Sequence, residues 1–139
     1  MADKYLKVDI ITPQSVVYSG DAVSVNVPGS YSPFEVLINH APIVSSLDTG
    51  VIKIMSSENK LVYFAAGTGF VEVNDNKVSI LVENAVNADE IDKDKVIEAI
   101  GNLKNEISVS SAISDKLLFS SNLAYRQAQL KAATMRRVN

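Results

Sequence analysis

Apolar and polar residues alternate along the chain from Tyr5 to about Glu83. Val8-Ile10, Val23-Val25-Val27, Ile52-Ile54, Val71-Val73 and Val78-Ile80-Val82 each place apolar side chains on one face of an extended segment. Turn signals separate these runs: Thr12-Pro13, Ser19-Gly20-Asp21, Pro28-Gly29, Thr49-Gly50, Ser57-Glu58-Asn59, Gly67-Thr68-Gly69 and Asn74-Asp75-Asn76. Short strands at this even spacing predict a sandwich or flattened barrel. The clearest hairpin is Asn74-Asp75-Asn76, because Asn and Asp tolerate the left-handed backbone that a tight turn between Val73 and Val78 needs.

From Asp92 the period becomes helical. Val96, Ile100, Leu103 and Ile107 form one stripe, with Asp92 as N-cap and Asp94 and Glu98 near the positive end of the helix dipole. Ser108-Val109-Ser110-Ser111 interrupts the pattern, and a second helix is predicted from about Ser114-Asp115 to Arg137. Its small residues Ala124, Ala128 and Ala132 share a face, with Leu117 and Ser121 leading into it. The expected fold is α+β, β then α: a flattened β-sandwich over residues 1–87, then an antiparallel two-helix hairpin over 88–139. An Ala/Ser stripe removes little apolar area from water, so the second helix should dock weakly and be free to move. A plain Ala-rich helix of high propensity accounts for the same composition.

Composition narrows the chemistry. With 139 residues, 47% hydrophobic and 21% charged, the chain has the make-up of an ordinary globular protein. It has no cysteine and one histidine, which removes disulfides, thiolate metal sites and cysteine nucleophiles. No apolar run is long enough to span a bilayer, and no signal or transit peptide precedes the first strand, so a cytosolic setting is expected. The net charge of −3 argues against general nucleic-acid binding. The charge is unevenly spread: Lys116, Arg126, Lys131, Arg136 and Arg137 follow Asp115 with no acidic residue, so the tail carries +5 and the rest −8. Such a tail suits an acidic partner, or simply the negative end of a helix.

His40 stands in Val36-Leu37-Ile38-Asn39-His40-Ala41-Pro42, a turn-rich connection. A lone His can be a ligand, a general base or a packed loop residue. Gly67-Thr68-Gly69 lacks the third Gly, the following helix and the Lys-Ser/Thr pair of a phosphate loop. No Ser has a nucleophile-elbow setting. Asp89-Glu90-Asp92-Asp94 lacks the spacing of a calcium loop and reads as a helix entrance. The residues describe a non-enzymatic β-plus-helix module that binds other proteins.

An ordered set of motifs then carries a resemblance. It comprises Leu6-Lys7-Val8, Thr12-Pro13, Val16 to Gly20, Val27-Pro28-Gly29, Val36 to Pro42, Leu47-Asp48-Thr49-Gly50-Val51-Ile52, Gly69 to Val73, Asn76 to Leu81, Ala85 and Asp89-Glu90-Ile91-Asp92. In this order, followed by two helices, the chain resembles the ε subunit of F-type ATP synthases, the equivalent of mitochondrial δ. It departs from the family at Ser32 and Glu35, where the family often has Gly. The helical tail matches by architecture more than by residues.

The resemblance implies a non-catalytic rotor subunit of the central stalk, coupling ion-driven rotation to ATP synthesis. The loop Tyr31, Ser32, Pro33 and Phe34 and the turn Asn39, His40, Ala41 and Pro42 would face the ring of c subunits, and Thr12 and Ser45 would face γ. Helix one would dock on the sandwich, γ or helix two. The hairpin would swing out and inhibit ATP hydrolysis, its Arg126, Lys131, Arg136 and Arg137 meeting acidic segments of the catalytic α/β subunits. Some relatives bind ATP as a regulatory ligand on the folded hairpin. The matching positions are Ile91, Asp92, Lys95 and Arg126, although Lys95 stands for an Arg and Val96 for an Ala, and Lys lacks the planar guanidinium fork. No resident cofactor and no metal are implied, and the coupling ion is set by ligands in the c subunits. The expected location is the cytoplasmic face of a bacterial plasma membrane, or the stromal side of a plastid thylakoid, with membrane contact only through the complex. Two alternatives stand beside this reading: a small enzyme with His40 as base, and a free-standing nucleotide-sensing module using the hairpin.

Overall fold

A computed structural model describes residues 4–109 and 112–138. Ser110 and Ser111, part of the expected interruption between the helices, and the side chain of Arg137 lie outside the described residues. The strands are β1 (Leu6–Ile11), β2 (Val16–Val27), β3 (Phe34–Leu37), β4 (Ile43–Leu47), β5 (Gly50–Ser56), β6 (Leu61–Ala66), β7 (Gly69–Asn74), β8 (Lys77–Val82) and β9 (Ala85–Asn87). A 3-10 turn over Ala88–Glu90 leads to α1 (Lys93–Val109) and α2 (Ile113–Val138). The expected β-then-α fold is what forms.

One strand makes two layers. β2 has 12 residues. Its first half pairs antiparallel with β1 from Val16 to Ala22, and its second half pairs with β3 and β5. A register shift between Ala22 and Ser24 marks the bend. The first layer runs β4-β7-β8-β1-β2 and the second continues through β2-β5-β6-β9, with β3 on β2. β1 and β8 are parallel neighbours, so the chain closes the first layer with its earliest and its late strands.

The alternation read from the sequence supplies the core. Leu6, Val8, Ile10, Val25, Val36, Ile52, Ile54, Phe64, Val71, Val73, Val78 and Ile80 pack together between the layers. Tyr18 meets the Phe64 ring edge-on, 5.5 Å between centroids. The left-handed backbone expected of the hairpin occurs at Asp75 and Asn76 (φ 50° and 62°), and also at Asn39 and Asn59. Gly69 is required by close approach: a Cβ there would collide with the Leu81 carbonyl oxygen on β8.

The helices differ in what holds them. α2 lies on β5, β6 and the 3-10 turn, whereas α1 packs chiefly on α2. Ala128 and Ala132 join Tyr63, Ala65 and Ala88 in a second, small cluster. Asp92 caps α1 by accepting from Lys95 N at 3.2 Å. Only the C-terminal half of the Ala/Ser stripe is used. Ala128 and Ala132 are buried, but Ala124 and Ser121 are exposed and Leu117 is 66% exposed. The stripe on α1 buries Val96 and Ile100, leaving Leu103 and Ile107 half-buried. α1 also runs one residue past Ser108, and α2 begins at Ile113, a residue before Ser114.

Candidate partner-binding surfaces

Successive side chains of a strand face opposite ways, so each core strand offers a second, outward row. On the first layer that row is not uniformly polar. Phe70 pairs with Leu81, Leu81 with Ile11, and Ile11 with Val16, giving an unbroken apolar band across β7, β8, β1 and β2. Phe70 is 60%, Leu81 49% and Val16 58% exposed. Four residues away along the strands the same face carries Lys7 and Lys77, and between the two lie Asp9, Ser19, Glu72 and Ser79. A groove of about 410 Å³ opens beside the band, lined by Ile11, Thr12, Pro13, Gly69, Phe70 and Leu81 among others.

Thr12 therefore borders the apolar band. It is itself buried, its Oγ1 donating to the Ser15 carbonyl at 3.2 Å and accepting from Ser15 N at 3.3 Å, which closes the turn between β1 and β2. Ser45 sits elsewhere. It pairs with Val71, on the opposite face of β4 from Val44, and its Oγ donates to the Ser46 carbonyl. Thr12 is thus buried in the turn after β1, and Ser45 is half-buried on β4 opposite the buried Val71.

The segments expected to face the ring flank the short strand β3. Tyr31 is 103% exposed and Ser32 and Pro33 are exposed, while Phe34 is half-buried against Gly29. Phe34 and His40 meet with ring centroids 6.3 Å apart, so the two segments share one aromatic contact. His40 Nδ1 lies 2.7 Å from the Ala41 carbonyl. A carbonyl only accepts, so Nδ1 carries the proton and donates. His40 N also donates to Leu37 O at 3.1 Å. His40 is a packed loop residue. Asn39 N donates to Asn76 Oδ1 at 2.6 Å, tying this turn to the β7–β8 hairpin. Ala41 and Pro42 are exposed.

On the hairpin, Arg126 lines a polar cleft of about 400 Å³ between α1 and α2, with Asn102, Glu106, Asn122 and Tyr125. Its Nη1 donates to Gln129 Oε1 at 3.0 Å. Ile91, Asp92 and Lys95 do not line that cleft, and Asp92 spends its Oδ1 on the helix cap. The groups expected to hold ATP are not gathered in this arrangement. Lys131 borders a separate cleft against Pro28 to Pro33 and Asp48 to Val51. Arg136 reaches Asp89 of the 3-10 turn at 3.5 Å. Arg126, Lys131 and Arg136 therefore have different surroundings in the docked hairpin.

Burial raises the Tyr125 phenol above its usual 10.0, against the opposing influence of the Gln129 hydrogen bond and the Arg126 charge. Burial likewise raises Tyr18, with Asp21 adding to the shift. Among the described residues, no group of His, Asp or Glu is placed to hold a metal ion. No described helix is long and apolar enough to cross a membrane.

Sequence inspection missed the apolar band, although its signal was present. Ile11, Phe70 and Leu81 are each out of phase with the core alternation of their strands. An apolar residue on the wrong beat marks a second contact face.

The family described as ATP synthase, delta/epsilon chain, beta-sandwich domain matches residues 5–88. An ATP synthase epsilon chain of Geobacter sulfurreducens is 40% identical over 101 residues, covering 73% of this chain and 72% of that one. The chloroplastic ATP synthase epsilon chain of Tetradesmus obliquus is 31% identical over 134 residues, 96% of either chain. A chain in the Euglena gracilis mitochondrial ATP synthase structure of OSCP/F1/c-ring shares the fold, hairpin included, with a TM-score of 0.79 at 18% identity over 97% of this chain and 84% of that one. A chain of the Tetrahymena thermophila mitochondrial central stalk and c-ring gives a TM-score of 0.64 at 18% identity, over 96% and 99% of the two chains. The match across the whole sandwich, with the two-helix tail in its place, means that this chain belongs to the ATP synthase delta/epsilon family, as an epsilon-type, non-catalytic subunit of the rotor stalk.

Proposed function

We propose that the sandwich clamps γ to the ring of c subunits, so that ion-driven rotation of the ring reaches the catalytic head without slip. The observation that carries this is the apolar band Phe70–Leu81–Ile11–Val16, continuous across four strands beside Thr12. A contiguous exposed apolar patch on a folded domain marks an interaction site. γ occupies the band, and Tyr31 to Phe34 with Asn39 to Pro42 meet the polar loops of the ring. The chain reaches the membrane only through this complex, at the cytoplasmic face of a bacterial plasma membrane. The test is a reconstituted complex carrying Phe70→Ser and Leu81→Ser. Loss of ATP-driven ion pumping with ATP hydrolysis retained supports the reading, and normal pumping with normal assembly rejects it.

A second role has its own observation. α2 is held by the small residues Ala128 and Ala132 with Tyr125 and Met135 partly buried beside them, while Ile113, Leu117 and Leu118 near the tip of the hairpin stay exposed. Each buried methyl group contributes only ~0.8 kcal/mol, so undocking costs little beside opening the sandwich core. The hairpin extends and slows ATP hydrolysis, with Arg126, Lys131, Arg136 and Arg137 meeting acidic segments of α/β. Replacing these four by Ala should relieve inhibition, and unchanged hydrolysis would remove this role.

A further inference from the structure

Arg136 lies near the C-terminal end of α2, where the helix packs over the 3-10 turn Ala88–Glu90. Its Nε is buried, and among the described residues it is the one buried side-chain nitrogen or oxygen without a hydrogen-bond partner. Its Nη1 lies 3.5 Å from Asp89 Oδ1, beyond the ~2.7–2.9 Å of a strong charge-assisted bond. The Asp89 side chain is 72% exposed, so water and salt compete for that contact. The neighbouring Met135 packs against the small cluster of Tyr63, Ala65, Ala88, Ala128 and Ala132 that seats α2 on the sandwich.

Folded proteins pair nearly all of their buried polar groups, because an N–H taken from water without an acceptor is destabilising. A guanidinium has five N–H donors and no acceptor, so in the docked hairpin Nε can be satisfied only by a group that the dock does not supply. With α2 away from the sandwich, water reaches that N–H. The ion pair with Asp89 is too long and too exposed to compensate.

We propose that Arg136 is a release element of the hairpin: docking seals its Nε away without an acceptor, and undocking returns it to water. The grip of α2 on the sandwich is thereby held below what its apolar contacts alone would give. This rests on the reading that the hairpin leaves the sandwich, and it names the group that sets how readily it does so. The sign of the effect separates this role from that of an ordinary salt bridge. A bridging Arg tightens the dock, whereas a release element loosens it.

The experiment is hydrogen exchange on the full-length chain, comparing amides of α2 with those of β1 and β8. The variants are Arg136→Met and Arg136→Lys. Both keep a high helix propensity, and Lys keeps the charge while placing a methylene where Arg has Nε. Exchange in α2 should slow by about tenfold in both variants, since both remove the buried N–H. Faster exchange in Arg136→Met would show that the pair with Asp89 holds the dock, and would overturn the inference. Slowing in the Met variant alone would assign the effect to charge and overturn it as well. Rates within twofold of the parent in both variants would overturn it while leaving hairpin undocking intact. If α2 of the parent exchanges no faster than β1 and β8, the hairpin does not open on its own, and the undocking reading fails together with this inference.

Discussion

Asn39 and Asn76 hold each other across the end of the sandwich. Asn39 N donates to Asn76 Oδ1 at 2.6 Å, and Asn76 Nδ2 donates back to Asn39 Oδ1 at 3.2 Å. Both have left-handed backbones, φ 64° and 62°. Two positions that favour Asn for their backbone also use its amide to fix a loop to a hairpin. Replacing Asn76 by Ala loses the hydrogen bonds and adds backbone strain, and should destabilise the chain by ~2 kcal/mol. Asn76→Gly loses only the hydrogen bonds and should cost ~1 kcal/mol. Thermal unfolding of the two variants checks the order, and an Ala variant no worse than Gly would contradict it.

The dock of α2 depends on small size. Ala132 is fully buried in the cluster with Tyr63 and Ala65. Ala132→Leu inserts three carbons into that contact, at a cost of ~1–3 kcal/mol. The hairpin should leave the sandwich while the main core stays folded. Hydrogen exchange should show protection lost in α1 and α2 and kept in β1 and β8. Loss across the whole chain would mean that the two clusters form one cooperative unit.

The Arg136–Asp89 pair should matter less. Its side chains are 37% and 72% exposed, and water and salt screen such a contact. Asp89→Ala is expected to shift hairpin docking by less than ~1 kcal/mol, and less still at high salt. A larger loss than that of Ala132→Leu, read by the same exchange measurement, would reverse the ranking of charge and packing.

Alkaline pH should loosen the hairpin. Tyr125 titrates above 10.0 when α2 is docked, because burial disfavours the phenolate. Its contribution to docking is complete below pH 10, where both states hold the proton. It is lost as the pH rises through the raised value, where the docked phenol must give up its proton. Tyr125→Phe should abolish this dependence, as read by labels on α2 and the sandwich. If the variant undocks over the same alkaline range, another group is responsible.

Much of this architecture was legible in the residues. The period-two runs at Val71-Val73 and Val78-Ile80-Val82 are buried strands, and Asn74-Asp75-Asn76 is the turn between them. Alternation is a local property, since one buried face is enough to impose it. The stripe at Val96 and Ile100 was equally readable as a helix face, but not what covers it. That cover is α2, whereas the sandwich takes the Ala128 and Ala132 face of α2 itself. A helix stripe records how much apolar area is buried and not which surface buries it.

The sequence by itself determined the elements, their order, the sandwich core and the absence of cysteine chemistry, because these follow from local period, turn residues and composition. Only the tertiary structure decided which strands became neighbours. β1 lies beside β8 though most of the sandwich sequence separates them, and that pairing assembles Ile11 with Leu81 and Lys7 with Lys77. Ile11 and Leu81 stand off the core beat of their own strands, but neither strand alone shows that they meet. They become part of one apolar surface because strand register across long sequence separations is fixed by packing of the whole core.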